Sequence, residues 1–330
     1  MTSQKDMILG DWSSARKIQE ERNNMHFSEL LRLASLLVAC SASAQTLPLH
    51  AVRTAAPISP TSDMHLAGAS VEPMILAEWD VENDRGKIVR IVWGQEAVDQ
   101  APAGASRYEQ KTYSFPTGTI RILEFKEEMG GMIHAITVES AIFMLNGSGT
   151  VEVAGELVEL ETGDVVSYPS GVLRGDGDAT VVAWTVTGNL INEAARAQHI
   201  RSADAPVIHF AEWDENGKRV SANTPEALEN APTDAIRLSV KRYSFEGNSV
   251  RVAHSKQGGP TSQRTGKLDS LIYVTSGKLR FFQDDSIIDT VPGDAIREIA
   301  GHYHHWYRIE DSSFVAISSL PIKPLMASKP

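Results

Sequence analysis

The chain has 330 residues, of which 42% are hydrophobic and 22% are charged, a composition that can bury a core and is too polar for a bundle of membrane helices. Its 31 basic and 42 acidic residues give a net charge of −11, which disfavours nucleic acid or an anionic lipid surface as the main partner. The single cysteine, Cys40, excludes an internal disulfide and a cysteine-rich zinc or iron–sulfur site.

Residues 1–75 are predicted to form a non-globular extension. An apolar stretch within residues 25–44 is short and ends in small residues, which is typical of an export signal. Ala42-Ser43-Ala44 suits a signal cleavage site, whereas the sequence LVAC at residues 37–40 resembles a bacterial lipobox. A disordered extension is the alternative. Export or lipid anchoring requires translation from Met25, and otherwise we expect a cytoplasmic protein. Residues 46–75 are rich in proline, serine and alanine and are interpreted as a linker.

From about residue 76 the chain repeats itself. The sequence KTYSF at residues 111–115 returns as KRYSF at 241–245, and the turn residues Gly147 and Gly171 return as Gly277 and Gly301. The offset is 130 residues in each case, far too long for a solenoid. The repeat therefore predicts two copies of one domain, at residues 76–200 and 201–330.

Each copy has the pattern of short strands separated by turns. Ile120 and Ile122 in the first copy, like Val250 and Val252 in the second, alternate with an arginine, as in a half-buried strand. Strands at this spacing indicate an all-β sandwich or barrel. Helix is expected only in short pieces, such as residues 225–230 and 191–198.

The turn motifs resemble those of the cupin family. In the first copy the second cupin motif is represented by two glycines and a proline, Gly163, Gly171 and Pro169. In the second copy it is represented by two glycines and a histidine, Gly293, Gly301 and His304. The resemblance covers about residues 76–320 and implies two tandem jelly-roll barrels, a bicupin. It also implies a homodimer, and a divalent metal such as iron, manganese, nickel or zinc held by three histidines and a glutamate.

The metal-binding positions that this resemblance implies are mostly altered. In the first copy the glutamate place holds Ser140, and the histidine places hold His134, Ile136 and Arg174. A buried arginine beside a histidine would repel a cation, so the first barrel is predicted to be metal-free. In the second copy the glutamate place holds Ser270, the histidine pair aligns with Arg264 and Gly266 or with Gln263 and Thr265, and only His304 is retained. We expect no tight metal site there, with weak binding of iron, manganese, nickel or zinc in this barrel as the alternative. If one binds, its ligands would be His304 with Asp269, Gln263 or His302.

The remaining polar residues suggest chemistry without a metal. If Val250 and Val252 face the barrel interior, His254 does so too, and its counterpart in the first copy is Glu124. We therefore predict His304 and His254 as catalytic residues. The predicted substrate-binding residues are Arg174, His134, Glu124, Gln263, Arg264 and Ser270.

Three functions remain open at this point. The first is a pocket for a small polar organic acid or carbonyl compound, with metal-independent isomerase, lyase or decarboxylase chemistry in the second barrel. The second is a non-catalytic ligand-binding or structural bicupin. The third is the metal-dependent oxygenase chemistry that the cupin resemblance implies.

Overall fold

The computed structural model describes residues 62–83, 86–126, 132–133, 140–153, 156–167, 172–186, 198–245, 247–259 and 264–319, all within one compact unit spanning residues 54–330. The predicted export signal lies outside these residues. The all-β class is confirmed. In the described part of the chain, α-helix is confined to two short pieces, Gln95–Asp99 and Pro225–Asn230. The second of these was predicted. Residues 191–197 lie outside the described residues, and Gln198 begins a strand.

The described strands fall into two corresponding series. The first comprises β1 His65–Leu66, β2 Met74–Asn83, β3 Gly86–Trp93, β4 Ser106–Phe115, β5 Gly118–Phe125, β6 Met132–Ile133, β7 Ala141–Val153, β8 Glu156–Glu161, β9 Val165–Ser167 and β10 Leu173–Val186. The second comprises β11 Gln198–Ile200, β12 Val207–Glu215, β13 Lys218–Ala222, β14 Ile236–Ser244, β15 Asn248–Ser255, β16 Arg264–Thr265, β17 Ser270–Ser276, β18 Leu279–Gln283, β19 Ser286–Thr290, β20 Ala295–Glu298, β21 Tyr303–Arg308 and β22 Ser312–Ser319.

The two series pair in the same antiparallel order. The path β9-β7-β10-β5-β4-β2-β3 of the first copy matches β20-β17-β22-β15-β14-β12-β13 of the second. The long strand β7 of the first copy corresponds to two shorter strands of the second, β17 and β18. In the same way, β10 corresponds to β21 and β22. Strands β16, β21, β18 and β19 form the facing sheet of the second barrel.

The leading strand of each copy joins the sheet of the other copy. β1 pairs with β20 of the second barrel, and β11 pairs with β9 of the first. A histidine of each leading strand contacts an aspartate of the receiving barrel: His65 Nε2 lies 3.2 Å from Asp294 Oδ2, and His199 Nε2 lies 3.0 Å from Asp164 Oδ2. Residues 64–68 of the predicted linker therefore lie against the second barrel, because their backbone completes a sheet edge there.

A shared core and two equivalent tyrosines join the barrels. The Tyr113 hydroxyl donates to the carbonyl oxygen of Gly293 at 2.7 Å, and the Tyr243 hydroxyl donates to that of Gly163 at 2.5 Å. Around them, buried side chains of both copies form one cluster, which includes Trp184 from the first copy. The strands that meet here are consequently buried on two faces, one toward the other copy and one toward their own barrel.

This double burial reverses the expected orientation of β5 and β15. Val250 and Val252 pack in the cluster between the barrels rather than inside their own barrel. Their neighbours Arg251 and Ala253 line the interior of the second barrel. A strand exposes alternate residues to opposite faces, so every assignment based on Val250 as an interior residue shifts to the wrong face.

Among the described residues, large side chains pack the interior of the first barrel, whereas the second barrel contains a cavity. Leu123 and Tyr108 belong to the packed core of the first barrel. The equivalent residues 130 positions later are the smaller Ala253 and Leu238, and both line a cavity of about 290 Å³ in the second barrel. The two copies thus share the same strand arrangement but differ in the size of the side chains inside the barrel.

Candidate functional site

The cavity of the second barrel is largely apolar. Its walls include the aromatic side chains of Phe210, Trp306 and Phe314 together with Leu238 and Ala253. Ile208 and Arg242 also line it and are exposed, which places its mouth beside β12 and β14. A cavity that combines apolar walls with a few polar groups is the usual form of a small-molecule site.

Four charged residues line the same cavity: Arg242, Arg251, Arg308 and Glu298. Alternation along β21 places His304, Trp306 and Arg308 on its inner face, and all three are buried. Arg308 is only 3% exposed. Among the described residues, the lining of the cavity thus contains three arginines and one glutamate.

Arg251 and Glu298 are both held by neighbouring side chains. Arg251 Nη2 donates to the hydroxyl oxygens of Ser270 and Ser318, each at 3.1 Å. Glu298 Oε1 accepts a hydrogen bond of 2.8 Å from Trp306 Nε1. Arg251 Nη2 and Glu298 Oε2 lie 3.9 Å apart. Burial of these charges is thereby compensated by opposite charge and hydrogen bonds.

Ser270 and His304 lie beside this cavity and do not line it. Ser270, predicted to bind substrate, is buried and reaches the site only through Arg251. His304, predicted to be catalytic, is 2% exposed, and its Nε2 lies 3.6 Å from Glu298 Oε1. His304 therefore lies behind Glu298, and Glu298 is the one of the two that lines the cavity.

His254 lies on the opposite face of β15 from the cavity, and its side chain is exposed. Its Nδ1 is 2.8 Å from the Ser313 hydroxyl on the neighbouring strand. The packing that surrounds the ring, and then the charge of Lys241, hold the pKa of His254 below its ordinary value. The predicted convergence of His254 and His304 on one cavity is not met, because residue 254 shares the face of Val250 and Val252.

The predicted groups of the first barrel are likewise dispersed. Arg174 is exposed, so it does not form the expected buried arginine beside a histidine. Glu124 follows the face of Ile120 and Ile122, and its charge contributes to raising the pKa of Tyr273, after burial as the main cause. Glu124 thus lies toward the other barrel rather than inside its own. His134 lies outside the described residues.

Three further predicted residues concern the second barrel. Gln263 lies outside the described residues, and the backbone of Arg264 pairs with that of His304. Asp269 is held by Arg297, whose Nη2 and Nε lie 2.6 and 2.8 Å from Asp269 Oδ2. Burial opposes ionisation of Asp269, but hydrogen bonds from Ala300 N–H and from Arg297 outweigh it and lower its pKa. Asp269 is therefore engaged by Arg297.

The described residues do not fit a divalent metal ion. Among them no group of three or more histidine, cysteine, aspartate or glutamate side chains converges. His302, named above as an alternative ligand, is exposed and contacts Asp284 through Nδ1. Next to His304 and Glu298, the barrel instead places Arg251, a cation that disfavours another cation nearby.

The sequence reasoning missed Arg251, Glu298 and Arg308. The signal for Arg251 was present, because Arg121 occupies the equivalent strand position in the first copy. Arg121 is itself inside its barrel, where burial lowers its pKa and the charges of Tyr108 and Glu78 oppose that effect. An arginine repeated between apolar neighbours was interpreted as solvent-facing, whereas both faces of these strands are buried.

No helix in the described part of the chain has the length and apolar character needed to cross a membrane. No protein-family model matches the chain, and no curated protein matches it. Three solved structures illustrate what it resembles. Ylba from E. coli, of family model DUF861, shares 11% identity at a TM-score of 0.49 over 80% of this chain and 93% of its own. Bacillus subtilis oxalate decarboxylase, which has Mn(II) centres, shares 11% identity at a TM-score of 0.47 over 79% and 78%. Streptomyces albus HEPD, with Fe(II) and 2-hydroxyethylphosphonate bound, shares 10% identity at a TM-score of 0.47 over 75% and 74%.

The fold assignment rests on the chain itself. Both copies carry the same glycine turn motifs and the same antiparallel strand order, and each contributes a leading strand to the other. The protein therefore consists of two copies of one antiparallel jelly-roll barrel, which is the arrangement that the resemblance to the bicupins implies.

Proposed function

We propose that the second barrel binds a small organic anion that has an apolar body. The observation that supports this most directly is the cavity itself, which places Arg251 and Arg308 among walls formed by Phe210, Leu238 and Phe314. A guanidinium can hold a carboxylate through two parallel hydrogen bonds, and such bonds are strongest where water is excluded. The apolar walls would cover the remainder of the molecule.

The volume of the cavity limits the size of the ligand. About 290 Å³ lies at the lower end of the range for small-molecule pockets. The exposed mouth at Ile208 and Arg242 would admit a ligand from solvent, and Arg242 would attract an anion toward it. Compounds the size of a substituted propanoate are therefore expected to fit better than extended acids.

A matched pair of probes tests the anion requirement. Thermal shift and calorimetry on the purified protein would compare 3-phenylpropanoate with its neutral amide, 3-phenylpropanamide. We expect the acid to raise the melting temperature in a concentration-dependent way and the amide to have little effect. Equal binding of the acid and its amide would overturn the proposal. It would also be overturned if neither compound bound and a matching aliphatic acid and its amide did not bind either.

A variant pair tests where the anion is held. Replacing the buried Arg308 by methionine keeps an apolar stem and removes the charge, so we expect affinity for the acid to fall by about tenfold or more. The control is Arg280→Gln. Arg280 is exposed on the same barrel and is paired with Asp289, away from the cavity lining. Retained affinity in the Arg308→Met variant would place the anion elsewhere.

One observation favours acid–base turnover as a second candidate function. Glu298 lines the cavity, and His304 Nε2 lies 3.6 Å from its Oε1. A carboxylate coupled to an imidazole is a suitable proton carrier for isomerisation, elimination or decarboxylation. Incubation of a bound acid in D₂O would test this: proton NMR would show exchange at the carbon beside the carboxylate in the native protein and none after Glu298→Gln. Binding without exchange or any other turnover would leave the non-catalytic alternative.

A further inference from the structure

The cavity wall carries a cation and an anion side by side. Arg251 Nη2 and Glu298 Oε2 are separated by 3.9 Å, which is longer than a hydrogen bond. Both side chains are held in place, Arg251 by two serine hydroxyls and Glu298 by Trp306 Nε1. The pair therefore presents two fixed and opposite charges at neighbouring points of the same wall.

This arrangement restricts what a bound acid can carry. A carboxylate that reaches Arg251 also comes close to the negative charge of Glu298. A hydrogen-bond donor on the adjacent carbon of the ligand would remove this conflict, because an ionised carboxylate can only accept. Glu298 has acceptor capacity beyond its bond from Trp306, since a carboxylate offers about four lone-pair sites.

Taking the proposed binding of an organic anion as the starting point, we infer that the ligand is a 2-amino or 2-hydroxy acid with an apolar side chain. Its carboxylate binds Arg251 and Arg308, and its ammonium or hydroxyl group donates to Glu298. Its side chain lies against the apolar wall that includes Phe210 and Phe314. Because the guanidinium of Arg251 and the carboxylate of Glu298 are neighbours, a donor on the carbon next to the ligand's carboxylate suits them better than one further away.

Three ligands of one skeleton test this inference: 3-phenylpropanoate, 3-phenyllactate and phenylalanine, which carry hydrogen, hydroxyl and ammonium at carbon 2. Calorimetry on the native protein should show that at least one substituted acid binds about tenfold or more tighter than 3-phenylpropanoate. Which of the two binds tighter identifies the donor. Leucine and its hydroxy and unsubstituted analogues repeat the comparison with an aliphatic body.

The variant Glu298→Gln places the donor. We expect it to remove most of the advantage of the substituted acids and to leave the affinity for 3-phenylpropanoate equal or higher, because a negative charge is lost. Glu229→Gln, at an exposed position of the helix Pro225–Asn230, is the matched control. It should change neither the affinity for 3-phenylpropanoate nor the advantage of the substituted acids.

The outcomes separate the two proposals. If none of the acids in either series binds, the proposed function itself fails. If all bind with equal affinity in the native protein, the anion site stands and the inferred donor contact is wrong. The native series decides this even if Glu298→Gln fails to fold.

Discussion

The hollow of the second barrel can be filled by a substitution that the first barrel already contains. Ala253 lines the cavity and is 1% exposed, and its counterpart Leu123 is packed in the first barrel, also at 1% exposure. Ala253→Leu therefore directs an isobutyl group into space that the fold is known to accommodate. We expect this variant to be more stable than the native protein and to lose ligand binding.

The magnitude follows from the added carbons. Leucine adds three carbon atoms to alanine, each worth about 0.8 kcal/mol when removed from water. Fixing the leucine rotamer costs about 0.5–1 kcal/mol. The net gain in the free energy of unfolding is therefore about 1.5 kcal/mol, provided that the cavity accepts the side chain without strain.

Urea denaturation of the variant, followed by fluorescence, measures this gain, and the thermal shift with 3-phenylpropanoate measures the loss of binding. The reciprocal variant, Leu123→Ala, should lose about 3 kcal/mol because it opens a void in a filled core. If Ala253→Leu is destabilised and still binds the acid as the native protein does, the leucine does not enter the cavity and the comparison of the two barrels is wrong.

Three further expectations concern the contacts between barrels and the cavity. Tyr243→Phe and Tyr113→Phe should each lower the free energy of unfolding by about 1–2 kcal/mol, because each removes a hydrogen bond to a carbonyl of the other barrel. Urea titrations measure both losses, and clearly unequal losses would show that the two hydrogen bonds are not equivalent. Burial opposes the ionisation of Asp294. The hydrogen bonds to its carboxylate, of which the one with His65 has the largest effect, outweigh burial and hold the pKa of Asp294 below 3.8. The ionised Asp294 thus stabilises the folded state above pH 3.8, and this stabilisation is lost as the pH falls through the lowered pKa. The free energy of unfolding should therefore change less between about pH 6 and about pH 3 in the Asp294→Asn variant than in the native protein. Trp306→Phe should weaken the binding, measured by calorimetry, of the 2-substituted acid that donates to Glu298, because it removes the donor that orients the Glu298 carboxylate.

The repeat was the part of the fold that sequence alone could predict. Turn glycines such as Gly147 and Gly277 recur at a fixed offset because a positive φ of 81° and 70° is required at each, which few other residues tolerate. The same motifs predicted an all-β fold of two tandem barrels, which the structure has. Local backbone requirements of this kind are visible in one sequence, since they depend on one residue at a time.

The orientation of the strands could not be predicted in the same way. Val250 and Val252 look like the buried face of an amphipathic strand, and Arg251 looks like its solvent face. The structure buries both, because the valines meet the other barrel and the arginine enters its own. A period of two identifies the faces of a strand but not which of them lines a cavity, and the misplacement of His254 and Glu124 followed from that choice.

The leading strands were hidden for a different reason. β1 has only two residues, and its partner lies some 230 positions away: His65 pairs with Ile296. A segment so short has no periodicity of its own, and its neighbours are prolines and serines typical of a linker. Its structure depends on a sheet edge that is formed by distant residues.

The exchange of leading strands makes the two barrels one cooperative unit. Separating the copies ahead of β11, between residues 197 and 198, would remove β1 from β20 and would remove β11 from β9 and from Asp164. Each exposed edge would then be open to pairing with another chain. Loss of one barrel therefore raises the free energy of the other, and denaturation of the whole is expected to proceed in a single transition rather than barrel by barrel.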